Sequence, residues 1–225
     1  VVKRKLQEQV DQIEATTGRK PGKKERRSLA DDIRLGLLPL AFSKQYAVQV
    51  WVDPRNGLLI TDAGSTAKAD QVMTSLVQAI DGLVVRLLQT RTSPQTAMAH
   101  WLSSREAPPG FSVERECELK ATDESKAVVR YARHALDTDE VTQHIALGKL
   151  PTRLALTWND RVALVLTESL QIKKLAFLDS VFESGGTSQV QEDEFDANVA
   201  IATGELRQLL PALIAALGGE EKPPG

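Results

Sequence analysis

Tyr46-Ala47-Val48-Gln49-Val50-Trp51-Val52-Asp53-Pro54-Arg55-Asn56-Gly57-Leu58-Leu59-Ile60-Thr61 is the stretch whose reading decides the fold. Residues 46–53 alternate and are rich in β-branched and aromatic types, which suit a pleated, half-buried surface. Pro54-Arg55-Asn56-Gly57 interrupts them with residues that tolerate a tight reversal, and residues 58–61 return in β-formers. The pattern predicts an antiparallel hairpin. It recurs downstream: 111–120 and 127–133 flank the polar turn Asp123-Glu124-Ser125, and 153–158 and 162–166 are joined by Asn159-Asp160. Further strands are expected over 171–177 and, briefly, 83–88. Strands paired by tight turns point to an α+β fold of mainly antiparallel sheets with flanking helices, rather than a parallel α/β fold.

Helical periodicity fills the gaps. Val2, Leu6, Val10 and Ile13 predict an amphipathic helix closed by Gly18, and Leu29, Ile33 and Leu37 a second, interrupted by Pro39. Helices are also expected over 65–80, 93–102 and 139–147. The tail after Gln191 repeats apolar residues at helical spacing and ends in a frayed Glu/Lys/Pro/Gly stretch. Four regions result: 1–45, helical and basic; 46–110, hairpin plus helices; 111–190, strand-rich; and 191–225, a helix with its tail.

With 42% hydrophobic residues among 225, the chain can bury the core of one or two domains. No apolar run approaches bilayer length, and Val1-Val2-Lys3-Arg4-Lys5-Leu6 turns polar at once, unlike a signal peptide. The absence of an initiator Met leads us to expect a fragment. Cys117 is the sole cysteine, so no intrachain disulfide forms, and a reducing cytoplasm is expected. Its acidic neighbours disfavour a thiolate, which makes it a half-buried strand residue rather than a nucleophile.

Motifs for catalysis are missing. His100, His134 and His144 lack metal-ligand spacing, and no Gly-rich phosphate loop or Gly-x-Ser-x-Gly elbow occurs; Gly185-Gly186-Thr187 has no following Lys. Neither metal nor cofactor is expected. Asp53, Asp62 and Glu118 would have to converge to serve a two-metal nuclease, and solvated strand-end acids are the better reading. Low aromatic content (4%) argues against single-strand stacking, with Trp51, Trp101 and Trp158 read as core.

The charge distribution is more informative than the net of −2. Cations concentrate in residues 1–34, and Arg19, Lys20, Lys23 and Lys24 make the turn between the first two helices a candidate phosphate-backbone patch. Its alternative is a solvated connection between helices. Arg130-Tyr131-Ala132-Arg133-His134 is a second basic stretch, in which alternation separates Arg130, Ala132 and His134 from Tyr131 and Arg133. Lys149, Lys173 and Lys174 either join such a surface or solubilise it.

Several segments together resemble the bacterial recombination-associated RdgC family. They are Gly18-Arg19-Lys20, Leu37-Leu38-Pro39 with Ala41-Phe42-Ser43, Trp51-Val52-Asp53 with Asn56-Gly57-Leu58, Glu118-Leu119-Lys120, and Gly148-Lys149. Thr152-Arg153-Leu154-Ala155-Leu156, Ile172-Lys173-Lys174-Leu175, Phe195-Asp196-Ala197, Thr203-Gly204-Glu205-Leu206 and Ala216-Leu217-Gly218-Gly219-Glu220 continue the match in order, from Lys3 to Glu220. The resemblance implies that the chain starts after that family's N-terminal portion. The resemblance implies a horseshoe-like subunit of a ring-shaped homodimer that encloses double-stranded DNA without sequence preference and restrains RecA-mediated recombination. It implies no enzyme activity, and a cytoplasmic, nucleoid-associated location away from membranes. It makes Arg19, Lys20, Arg133 and His134 candidate DNA-facing residues, to which the basic segments add Lys23, Lys24 and Lys173, and it makes Phe42 with Pro39 a dimer-interface tip. Leu40 stands where relatives often carry an Arg and Ala132 where a Lys can occur, so a less positive hole is implied. The rival readings are a module that binds a recombination protein directly and, more weakly, a metal-dependent nuclease.

Overall fold

A glycine and a proline delimit the first helices. Helix α1 (Val2–Thr17) stops where Gly18 adopts left-handed backbone, φ 71°, and its N–H satisfies the Glu14 carbonyl at 2.9 Å. Helix α2 (Lys23–Leu37) follows, so Lys23 and Lys24 belong to its first turn rather than to the connection. Val10 and Ile33 are the buried apolar residues of these two helices. Pro39 supplies no N–H to continue α2, and the chain tightens into a 3-10 turn, Leu38–Leu40.

The computed structural model describes residues 1–42, 46–182 and 191–221. Ser43 of the tip motif, Gly185-Gly186-Thr187 and the tail beyond residue 221 lie outside that range. The chain divides into two compact units, Val1–Gln49 and Val50–Gly225.

The second unit opens with the hairpin of β1 (Val50–Asp53) and β2 (Leu58–Thr61), paired Val50 to Thr61 and Asp53 to Leu58. Helix α3 (Thr66–Ala79) starts at Ser65, whose hydroxyl accepts the Lys68 N–H at 3.4 Å. Helix α4 (Pro94–Ser104) begins with Pro94 and is capped by Ser93, which accepts the Thr96 N–H at 3.1 Å. A five-stranded antiparallel sheet follows, in the order β4 (Val128–Ala132), β3 (Phe111–Ala121), β5 (Lys149–Trp158), β6 (Val162–Thr167), β7 (Ile172–Phe177). Asn159 and Asp160 both take positive φ, 48° and 53°, in the three-residue turn 159–161 that joins β5 to β6. Helix α5 (Asp139–Ala146) lies between β4 and β5 in sequence, and α6 (Asp179–Phe182) and α7 (Gln191–Ala216) complete the chain.

One face of this sheet carries Cys117, Leu119, Tyr131, Leu154, Leu156, Trp158, Leu164 and Leu166. They pack with Met98, Trp101 and Leu102 of α4, Val141 of α5, and Leu209, Leu213 and Leu217 at the C-terminal helix. Each fully buried Leu stabilises the fold by about 1.5–3 kcal/mol relative to exposure. The fold is α+β with antiparallel sheets.

Several local expectations change. Residues 83–88 form no strand among the described residues; the nearest pairing is a single bridge, Thr90 to Glu220. High β-propensity without a partner edge makes no ladder. Cys117 is fully buried, and desolvation rather than its acidic neighbours pushes the thiol up to about 12. Trp101 and Trp158 are core, whereas Trp51 is half-buried under the Arg207 guanidinium, 5.6 Å from the ring centre. Against the expectation that no apolar run reaches bilayer length, residues Phe195–Ala216 satisfy that criterion by length and composition. Leu209 and Leu213 nevertheless pack in the core, and Glu205 holds Arg161 at 2.5 and 3.0 Å, so this half of α7 is accounted for as a core helix.

Candidate nucleic-acid interface

The first unit holds eleven Lys and Arg against six Asp and Glu, a net of +5, which leaves −7 for residues 50–225. Folding α1 against α2 brings Arg19, Lys20, Lys23 and Lys24 to one end of a helical hairpin. They are not equivalent. Arg19 makes a two-pronged ion pair with Glu25, at 2.9 and 3.2 Å. The hydrogen bond from Arg19 holds the Glu25 carboxyl below its usual range, and the same bond raises Arg19. Lys20 lies 3.5 Å from Glu14. Lys23, Lys24, Arg26 and Arg27 are exposed and make no ion pair among the described residues. At this end of the hairpin the unneutralised charge therefore sits on the first two turns of α2, where Arg26 and Arg27 add to the residues singled out from sequence; Lys3 and Lys5 on the first turn of α1 are likewise exposed and make no ion pair among the described residues.

At the other end of α2 the surface turns apolar. Leu35, Leu38 and Leu40 are exposed, Pro39 is exposed among them, and Phe42 is 102% exposed. A fully solvated phenylalanine beside exposed leucines is unexplained by the packing of this unit, and such patches mark contact surfaces.

In the second unit, Tyr131 points into the core, so β4 cannot present all of its basic stretch on one face. Its hydroxyl donates to Glu140 at 2.9 Å. Arg133 leaves the strand with φ 57°, a left-handed conformation that redirects the chain, and is exposed. His134 donates from Nδ1 to the Ala135 carbonyl at 2.7 Å, with its ring 5.5 Å from that of Tyr131. Lys173 is exposed opposite Val165, and its neighbour Lys174 reaches across to Glu116 on β3, at 2.6 Å. Arg133, His134 and Lys173 thus belong to the sheet unit, whereas Arg19, Lys20, Lys23 and Lys24 belong to the helical unit.

Strand register exposes a feature that the sequence reading did not assemble. Glu118 is the Cα partner of both Arg130 and Arg153. Its carboxylate, 14% exposed, accepts from the Thr152 hydroxyl at 2.7 Å and from Arg130 Nε at 2.6 Å. The Thr152 bond is the largest influence holding this carboxyl below its usual value; desolvation opposes it, and Arg130 and Arg153 reinforce it. Period-two alternation on three adjacent strands was the available signal.

The acids considered for a metal do not assemble as one. Asp53 is 1% exposed, not solvated; it accepts from Asn56 Nδ2 at 2.7 Å and from the Arg55 N–H at 3.3 Å, and faces Arg207 Nε at 3.4 Å. Desolvation pushes its carboxyl up, but these bonds and the Arg207 charge outweigh it, and the net shift is downward. Among the described residues, no three His, Cys, Asp or Glu side chains are grouped to hold a metal ion.

A family model described as "Putative exonuclease, RdgC" matches residues 1–220. The chain belongs to the RdgC family. Its relatives include proteins named "Recombination-associated protein RdgC" from three bacteria. That from Dechloromonas aromatica is 46% identical over 98% of this chain and 74% of its own length. That from Janthinobacterium sp. is 48% identical over 93% and 70%, and that from Bordetella pertussis 42% over 99% and 75%. RdgC membership supports a role in recombination.

Proposed function

We propose that this RdgC-family chain binds double-stranded DNA through its phosphates without reading sequence. It does so as a homodimeric ring closed through the tip that carries Phe42 and Pro39, and by occupying DNA it limits access by RecA. The observation that carries this reading is the separation of roles along α2, with uncompensated cations on its first two turns and a solvated apolar tip at its other end. Cations free of acidic partners release counterions from a polyanion most effectively, and this attraction is indifferent to base sequence. Arg133, His134 and Lys173 serve the same backbone from the sheet unit. Fluorescence anisotropy on two unrelated duplexes across a salt series tests the reading: affinities match between sequences and fall steeply with salt. Salt-independent binding, or binding to one sequence only, refutes it. Light scattering reports the dimer. Direct recognition of RecA would instead appear as binding in the absence of DNA.

The description attached to the family model favours a second reading, exonuclease activity. It predicts Mg²⁺-dependent shortening of end-labelled duplex that is lost on replacing Asp53 or Asp62. The engagement of Asp53 by Asn56 and Arg207 weighs against that residue as a metal ligand.

A further inference from the structure

The five-stranded sheet presents two cations flanking one nearly buried acid, and the geometry is more specific than a basic surface. Arg130 and Arg153 are Cα partners of the same residue, so their strands lie two spacings apart, about 9–10 Å. Alternation places both on the sheet face opposite the core residues Cys117, Leu119, Leu154 and Tyr131. Glu118 is anchored from below by Thr152 and engages Arg130 through Nε alone. That single bond orients the guanidinium while leaving both of its terminal nitrogens, four N–H donors, without a partner among the described residues. Arg153 is exposed and forms no ion pair among the described residues. A carboxylate with less access to water loses little further hydration when a polyanion approaches, whereas the oriented guanidinium gains charge-assisted hydrogen bonds.

We propose that Arg130 and Arg153, set on either side of Glu118, form a second phosphate-contact row for duplex DNA on the sheet unit, independent of the cations of α2. This rests on the duplex-binding reading above. Lys173 and Lys174 extend the cationic character of the same sheet, with Lys174 tied to Glu116. Bare charge and oriented donors make different predictions. The double variant Arg130→Gln/Glu118→Gln leaves the net charge of the row unchanged. Attraction by charge alone predicts unaltered affinity, whereas oriented donors predict binding about tenfold weaker on unrelated duplexes.

The test measures duplex affinity by fluorescence anisotropy across a salt series for the full chain, this double variant, Arg153→Gln and Lys23→Ala/Lys24→Ala, each checked for folding by thermal unfolding. Arg153→Gln lowers the log–log salt slope by about 0.9, the contribution of one phosphate contact. Should the double variant not fold, Arg153→Gln alone decides, with partial recovery expected from Arg153→Lys. If the sheet variants bind as the unmodified chain does while the α2 variant weakens, the row is not a contact site and the duplex-binding reading stands. If the unmodified chain binds no duplex at any salt, that reading fails and the row falls with it.

Discussion

Replacing Lys23, Lys24, Arg26 and Arg27 together by Ala removes the four cations of α2 that have no acidic partner among the described residues. The fold should tolerate this, because all four are exposed and Ala has the highest helix propensity. Surface changes of this kind shift stability by only about 0.5 kcal/mol in either direction. If each cation contacts one phosphate, the slope of log affinity against log salt falls by about 3.6 in total. Between roughly 50 and 200 mM salt, the unmodified chain then loses about 150-fold more affinity than the variant. Arg19→Ala/Lys20→Ala is the internal comparison, since Glu25 and Glu14 already compensate those charges. Its slope should change by less than that of Lys23→Ala/Lys24→Ala. The assay is anisotropy of a labelled duplex titrated at five or more salt concentrations, with circular dichroism to verify helicity. An unchanged slope in the folded quadruple variant, or a larger effect from the Arg19/Lys20 pair, would refute the reasoning.

Phe42→Ala should leave thermal stability within about 0.5 kcal/mol while weakening self-association by sedimentation; unfolding would show instead that the ring is core. Asp53→Asn should loosen the hairpin from Arg207 and alter Trp51 fluorescence at neutral pH. Because the folded carboxyl lies below its unfolded value, its stabilisation is present above the unfolded value and is lost as pH falls through the folded one, so the native Trp51 signal should persist at pH of about 5 and change only in stronger acid. Leu209→Ala should cost about 2–5 kcal/mol in urea unfolding, and no cost would mean that α7 does not pack as described. Cys117, pushed up to about 12 by burial, should resist alkylation near pH 8 until the chain is unfolded; rapid native labelling would contradict its burial.

Much of the architecture was legible in the sequence, because the deciding interactions span only a few residues. The end of α1 at Gly18, the break at Pro39, the helix starts near residues 65 and 93, and the Asn159-Asp160 turn depend on local backbone freedom and nearby donors. The basic character of the first two helices was legible for the same reason. Which of those cations carry free charge was not: Arg19 reads like Lys23 until folding sets Glu25 against it. Residues 83–88 have strand composition, yet a strand needs an edge to pair with, and that is a property of distant chain. Asp53 and Glu118 looked like solvated strand ends, and only the approach of Arg207 from α7 and of Thr152 and Arg130 from neighbouring strands left Asp53 buried, Glu118 largely shielded, and both paired. Sequence by itself determined most of the elements, the antiparallel pairing of strands joined by short turns, and the polarity of the chain. Tertiary structure decided which charges are compensated and which face solvent, because burial and ion pairing depend on groups far apart along the chain.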